Sequence, residues 1–470
     1  MRNSSQPLLS VLQGSGPLYL QIYHRIRALV LSGAWPPGTQ LPSSRALARD
    51  LGISRNTAIL AIDKLMSDGW IISRTGSGIY VSSEAPPSRP PLPSGGAARA
   101  PSSVPVPFEI AHAATDVFPV AAWSKIQSKV WTNAAAEALH EGSGAGWAPL
   151  RNAIASYLHA VRGIACSPDQ ILVVSSSQSA LDLCIRVLAR QGDEIWVEDP
   201  GYPYAREAFQ AHGLEQVTVP VDGEGIDVAR GIGIAGDARL AYVTPACQFP
   251  TCSILSAARR KLILDWAART GNFIIEDDWD FNAILDTSQP ADPLAASGSE
   301  QVLHIHSFNR LLFPALRIAA LVVPAPLVDR FLSARRTIDG FPNVPNQIAL
   351  TEFMDQGLLS SHLRRCRMAF EERRAALHAA AREHLSRWMR IDETRPGLHA
   401  LAWTDYGDSE LATIARNGGI ACLGVSDFKI APSPFPGALL LGCAAFKPEA
   451  IRGAAKRLAD LLAHSLEGTR

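Results

Sequence analysis

Three short stretches of the sequence hold side chains able to do chemistry. The first, "SSSQSALDLCIRVLARQGDEIWVEDPGYPYA", sets a serine-rich turn at the start of a predicted helix, where backbone N–H groups and the helix dipole favour a phosphate. Capping serines are common, so that stretch alone is a weak signal. The second, "NFIIEDDWDFNAIL", ends an apolar strand on Asp277 and Asp278, at the kind of sheet edge where α/β proteins bind ligands. Paired acids there are more often solvated than catalytic. The third, "HIHSFNRLLFPALRIAALVVP", spaces Ser307, Arg310 and Arg317 so that two guanidinium groups could share the oxygens of phosphates or carboxylates.

A fourth stretch, near the N-terminus, carries a different chemistry. "LPSSRALARDLGISRNTAILAIDKLMSDGWIISRTGSGIYVS" predicts helix, tight turn, helix and a two-stranded wing. Ser43 or Ser44 can cap the first helix, Gly52 permits the turn and Ser54 caps the second. Ala58, Ala61, Ile62 and Leu65 face inward, leaving Arg55, Asn56 and Thr57 at an exposed helix start. Arginine there can pair with guanine and asparagine with adenine in a major groove, while Arg74 and the turn at Gly76 to Gly78 approach phosphates or a minor groove. Residues 1–80 hold eight basic against three acidic side chains, a balance of +5 in a chain of zero formal net charge, so a polyanion partner is expected at this end only.

The elements that must position these groups follow from length and pattern. At 470 residues and 47% hydrophobic content, at least two folded domains are expected. No run of eighteen or more apolar residues could span a bilayer, and "MRNSSQPLLS" is unlike a secretion signal, so a soluble, cytoplasmic protein with no membrane partner is expected. Seven cysteines from Cys166 to Cys443, of which Cys247 and Cys252 are close in sequence, match neither a disulfide framework nor a zinc site; buried free thiols and no metal are expected.

"YLQIYHRIRALVLSG" predicts an amphipathic helix ending at Gly33. The Pro-, Gly- and Ser-rich "EAPPSRPPLPSGGAARAPSSVPVP" is a linker able to extend at about 3.1 Å per residue. After it, apolar runs such as "QILVVS", "EIWVED", "LAYVTP" and "AALVVP" alternate with helical stretches, predicting a mostly parallel sheet covered by helices. The expected division is a DNA-binding head at 12–82, a linker at 83–107, a large α/β domain at 108–341 and a small C-terminal subdomain at 342–470.

The head resembles the GntR-type winged helix-turn-helix, whose pattern "LPSSRxLAxxLGVSRxTVxxAxxxLxxxG" and wing "RxGSGxxV" are matched nearly throughout. That resemblance implies a double-stranded DNA operator as partner, contacted by Ser43, Ser44, Arg45, Ser54, Arg55, Asn56, Thr57, Arg74, Gly76 and Ser77. Residues of about 108 to 465 resemble the fold-type I aminotransferases, through "FPVAAWSKI", "APLRNAIASYL", "VEDPGYPYAREAF", "ILSAARRKLILDWA" and the three stretches above. The joining of the two resembles the MocR subfamily of transcriptional regulators.

In that family pyridoxal phosphate is held on a lysine as an imine. The resemblance implies that Asp277 faces the ring nitrogen, Tyr202 stacks on the ring, and Ser177, Gln178, Ser307 and Arg317 surround the phosphate. The family's Ser-Lys pair stands here as Asn309-Arg310, seven residues before Arg317. A guanidinium with pKa above about 12 neither attacks an aldehyde nor shuttles the proton of transamination. Other departures are Trp279 for the tyrosine that reaches the ring hydroxyl, Ser176 for a glycine of the phosphate turn, Cys247 for a histidine, and Leu440 for the arginine that holds a substrate carboxylate. Nothing in the spacing of Lys125, Lys129, Lys261, Lys429, Lys447 and Lys456 marks any of them as a substitute amine.

The expectation is therefore a homodimeric transcriptional regulator, not an enzyme, whose body binds an effector and dimerises. Two states of the pocket stay open at this point: a scaffold with no ligand, or a site for a small anionic effector, non-covalent pyridoxal phosphate among them. The rival is a pyridoxal phosphate-dependent amino-acid aminotransferase with an appended DNA-binding head.

Overall fold

Leu18–Leu31 form the first helix, α1, because Ile22, Tyr23, Ile26 and Leu29 recur at helical spacing and are buried together. Ser32 takes the capping position and Gly33 follows at φ +75°, so the helix closes one residue before the glycine expected to cap it. The computed structural model describes residues 16–74, 77–83, 105–133, 138–279, 292–393, 395, 397–431 and 435–467. They fall in two units, within 1–102 and 103–470. Most of the expected linker lies outside the described residues.

In the first unit, α2 (Ser44–Leu51) starts at Ser43, whose hydroxyl accepts the Ala46 N–H at 3.2 Å, and ends at Gly52 with φ +63°. α3 (Arg55–Ser67) starts at Ser54, which accepts the Thr57 N–H at 3.1 Å. β1 (Gln40–Leu41), β2 (Ile71–Arg74) and β3 (Gly78–Val81) pair antiparallel in the order β1-β3-β2. The helices close on this wing through Leu47, Ala58, Ala61, Ile62, Leu65 and Trp70.

The second unit is built on an eight-stranded sheet: β4 (Ile171–Val174), β5 (Glu194–Asp199), β6 (Glu215–Asp222), β7 (Gly225–Ile226), β8 (Leu240–Val243), β9 (Phe273–Asp278), β10 (Val302–Ser307) and β11 (Ala319–Val322). The order is β4-β11-β10-β9-β8-β5-β6-β7, parallel from β10 to β6, with β11 running against β10 and β4. Side chains alternate across it. Leu172 and Val174 pack under helix α6 (Ser177–Leu188), while Ile171 and Val173 pack under α4 (Val120–Asn133) and α5 (Ala148–Arg162).

A smaller sheet, β12 (Arg390–Ile391), β13 (His399–Trp403), β14 (Leu423–Gly424) and β15 (Ala438–Gly442), runs in the order β12-β13-β15-β14 against the helices Leu358–Ala380 and Pro448–Glu467. The cores do not change at 342. Ala349, Leu350 and Phe353 belong to the large-sheet core, and the small-sheet core takes side chains from Phe370 onward, so the change falls inside one long helix. Phe108 also packs into that smaller core, and its carbonyl accepts the Gly442 N–H at 2.9 Å.

Candidate functional site

β4, β5, β8, β9 and β10 all present their C-terminal ends to one edge of the large sheet, so the loops that follow them converge there. Ser176 and Ser177 follow β4, Tyr202 follows β5, and Asp277, Asp278 and Ser307 end β9 and β10. Chain crossover thus assembles groups that are about a hundred residues apart in sequence.

Asp277 is buried. Its carboxylate accepts hydrogen bonds from the Tyr242 hydroxyl at 2.9 Å and the Ser177 hydroxyl at 3.3 Å. Loss of water pushes its carboxyl up to about 6, against the two hydroxyls that pull it down. Ser176 caps α6 by accepting the Ser179 N–H at 3.2 Å, which sets Ser177 and Gln178 in the first turn of the helix. Tyr202 immediately precedes the next helix, α7 (Pro203–Ala211); burial pushes its phenol up, while the nearby Gln178 side chain and Arg310 guanidinium act the other way. Ser177, Gln178, Tyr202, Asp277 and Arg310 are thereby brought together.

Asn309 holds the next segment in place. Its side chain donates to the Ser175 carbonyl at 3.1 Å and accepts the Ile318 N–H at 2.9 Å, pinning the Arg310 turn between the serine loop and β11. The same bond brings the backbone of Arg317, which sits at φ +56°, beside Asn309. Arg310 is half-buried, Arg317 exposed and Ser307 buried. Of the other departures, Trp279 donates from its indole to the Cys247 carbonyl at 2.9 Å, and Leu440 is buried in β15.

Asp278 faces the other side of the sheet. Arg162 grips both its oxygens, at 3.0 and 3.1 Å, and His306 Nδ1 lies 3.3 Å away. The guanidinium and the imidazoles hold its carboxyl well below the usual carboxylate range despite burial. Asp278, His304 and His306 bring their ligand atoms within 4.8 Å of one another, but a cation there would compete with Arg162 for the same carboxylate.

The sequence reading missed several members of this edge. Arg162 reads as an ordinary polar residue at a helix end, and only its partner across the fold reveals its place. Tyr242 was visible as one hydroxyl in the apolar run "LAYV". Buried Glu198 accepts from the Thr244 N–H and hydroxyl at 3.1 and 2.6 Å and from Gln248 at 3.1 Å; burial pushes it up to about 7.

In the first unit Arg45, Ser54, Arg55, Asn56, Arg74 and Ser77 are exposed, and Ser44 and Thr57 half-buried. The exposed hydroxyls of Ser43 and Ser54 are engaged as caps, and that of Ser54 also meets the Thr57 hydroxyl at 2.8 Å. Arg74 lies over the Tyr80 ring at 4.9 Å, and the Ser77 hydroxyl meets the Tyr80 hydroxyl at 2.8 Å. Gly76 lies outside the described residues.

Residues 18–81 match the family model described as bacterial regulatory proteins, gntR family, and residues 112–458 match aminotransferase class I and II. A probable rhizopine catabolism regulatory protein, MocR, of Rhizobium meliloti is 31% identical over 93% of this chain and 92% of its own. The pyridoxine biosynthesis transcriptional regulator PdxR of Corynebacterium glutamicum is 29% identical over 87% of this chain and 88% of its own. Among solved structures, a kynurenine aminotransferase of Pyrococcus horikoshii superposes with a TM-score of 0.69 at 24% identity, covering 77% of this chain and 92% of that one. That likeness shows the fold.

Proposed function

From the premise that this chain belongs to the gntR-family regulators with an aminotransferase class I and II body, the MocR subfamily, we propose that its body senses a small anionic effector and has given up covalent catalysis. The chain is a DNA-binding transcriptional regulator of GntR type. Arg55, Asn56 and Arg45, at exposed helix starts, supply base and phosphate contacts; Ser43, Ser44, Ser54, Thr57, Arg74, Gly76 and Ser77 complete the footprint.

The observation that carries the reading is the state of the pocket around Asp277. A carboxylate buried against two neutral hydroxyls, with no ion pair among the described residues, suits a protonated ring nitrogen. A helix start with Ser177 and Gln178, and Arg317 beside the Asn309 turn, suit a phosphate. These residues fit pyridoxal phosphate held without a covalent link, an electrophilic aldehyde that Arg310 cannot capture. Arg310 instead offers a permanent cation to an anionic group on the ligand. Leu440, buried and apolar, offers nothing to a substrate carboxylate.

Relatives named for rhizopine catabolism and for pyridoxine biosynthesis suggest that one body plan serves different effectors. A homodimer in the cytoplasm completes the reading; no helix among the described residues is long and apolar enough to cross a membrane. The test is a paired assay on one preparation: retained duplex DNA binding with no transamination above buffer from a panel of amino donors and keto acids. Turnover that disappears in an Asp277→Ala variant would establish the enzyme reading instead.

A further inference from the structure

The loop after β8, "PACQFPTCSIL", is buried although it has no regular structure. It closes on Gln248, whose backbone bonds Ser253 and Cys252 at 2.9 and 2.7 Å and whose side chain accepts from Thr251 at 3.0 and 2.6 Å. This folding brings the Cys247 thiol into hydrogen-bond contact with Cys252. With Ala246 they form a small cluster under Trp279.

Cys252 is held in an unusual state. Its φ is +53°, in the left-handed region that favours glycine, which marks a position the surroundings enforce. Room for its sulfur is made at Gly397, where a β-carbon would come within 2.6 Å of it. His399 Nε2 lies 3.2 Å from the sulfur and 2.9 Å from the Pro250 carbonyl. A carbonyl oxygen only accepts, so that nitrogen bears the proton, and the same N–H serves the sulfur as a donor. Arg395, fixed by the Ser253 hydroxyl at 2.6 Å and the Thr251 carbonyl at 2.9 Å, adds positive charge. The Cys247 hydrogen bond and the fields of His399 and Arg395 hold the Cys252 thiol well below its ordinary range, whereas burial, with a nearby carboxylate adding to it, pushes Cys422 up to about 12 and Cys366 up to about 11.

We propose that Cys252 and Cys247 form an oxidisable pair beside the effector pocket, closed to a disulfide by a small hydroperoxide. The Cys252 thiolate attacks one peroxide oxygen; the S–O bond forms as the O–O bond breaks, and the departing hydroxide takes a proton to become water. The Cys247 thiol then attacks the sulfenic sulfur; the S–S bond forms, the S–O bond breaks, and hydroxide leaves as water with the Cys247 proton. Two thiols lose two electrons and one hydrogen peroxide becomes two waters. Both residues are almost wholly buried, at 3% and 1% exposure, so only an oxidant near the size of water reaches their sulfurs. Closure reports to the pocket through Trp279, which donates to the Cys247 carbonyl, stacks on His399 and stands two residues from Asp277.

The test is peptide mass mapping of the full-length protein after graded hydrogen peroxide, with remaining thiols alkylated in denaturant. The expected result is loss of two hydrogens in a Cys247–Cys252 link before the half-buried Cys166 and Cys366 are modified. In Cys247→Ser, with dimedone added in the denaturant after the peroxide, an adduct is expected at Cys252. In Cys252→Gly, which suits the positive φ and keeps the fold, Cys247 is expected to stay reduced at the same dose. Oxidation of Cys166 and Cys366 first, no adduct in Cys247→Ser, or Cys247 oxidised at the wild-type rate in Cys252→Gly would each overturn the proposal.

Discussion

Asp277 and Asp278 are neighbours on one strand, yet one meets two neutral hydroxyls and the other a guanidinium, because successive side chains of a strand point to opposite faces. The pair is thus two separate sites. Asp278 is neutralised within the chain; Asp277 has no ion pair among the described residues.

Asp277 sets a pH dependence. Its folded carboxyl, pushed up to about 6, lies above its unfolded value, so the folded state binds the extra proton between about 4 and 6 and stability falls as pH rises through that window. Asp277→Asn, which has no charge to bury, is expected to gain on the order of 2 kcal/mol over wild type above pH 6 and to converge with it near pH 4. Urea titrations across pH check this. A pH-independent difference would mean that burial of the charge is not the cause.

Asp278 has the opposite sign. Its depressed folded value gives stability that is present above the ordinary carboxylate range and is lost as pH falls. Arg162→Ala leaves the carboxylate buried without its partner and is expected to cost about 3–5 kcal/mol at neutral pH. The deficit should shrink in acid, where the stranded carboxylate takes up a proton. Chemical denaturation of the variant at two pH values gives the comparison.

Much of this fold was readable from short patterns. The caps at Ser43 and Ser54, the turn at Gly52 and the strand "NFIIED" each depend on a few adjacent residues, so local chemistry suffices. The Asp278–Arg162 pair spans 116 positions and the Asp277–Tyr242 bond 35, and no local pattern encodes either. Which core each turn of the helix Leu358–Ala380 joins is equally hidden from local pattern, because that single helix serves two cores.

In the DNA-binding unit, Ser54→Ala removes the hydroxyl that accepts the Thr57 N–H. It is expected to lower the stability of that unit by about 1 kcal/mol. Calorimetry should move the transition of the first unit and leave that of the body in place.

Arg55 is exposed at the start of α3, so Arg55→Ala should leave folding nearly untouched. A loss of about 1–3 kcal/mol in binding to a duplex selected by the wild-type protein is expected. Equal affinities in a gel-shift titration would remove Arg55 from the interface.

The most direct test of the central claim is the absorbance spectrum of the protein with pyridoxal phosphate, before and after borohydride, beside Arg310→Lys. Wild type is expected to show a saturable spectral shift with nothing for borohydride to fix, and the variant a reducible covalent link at position 310. A stable reduced adduct on wild type, mapped to Lys429 or another lysine, would contradict it.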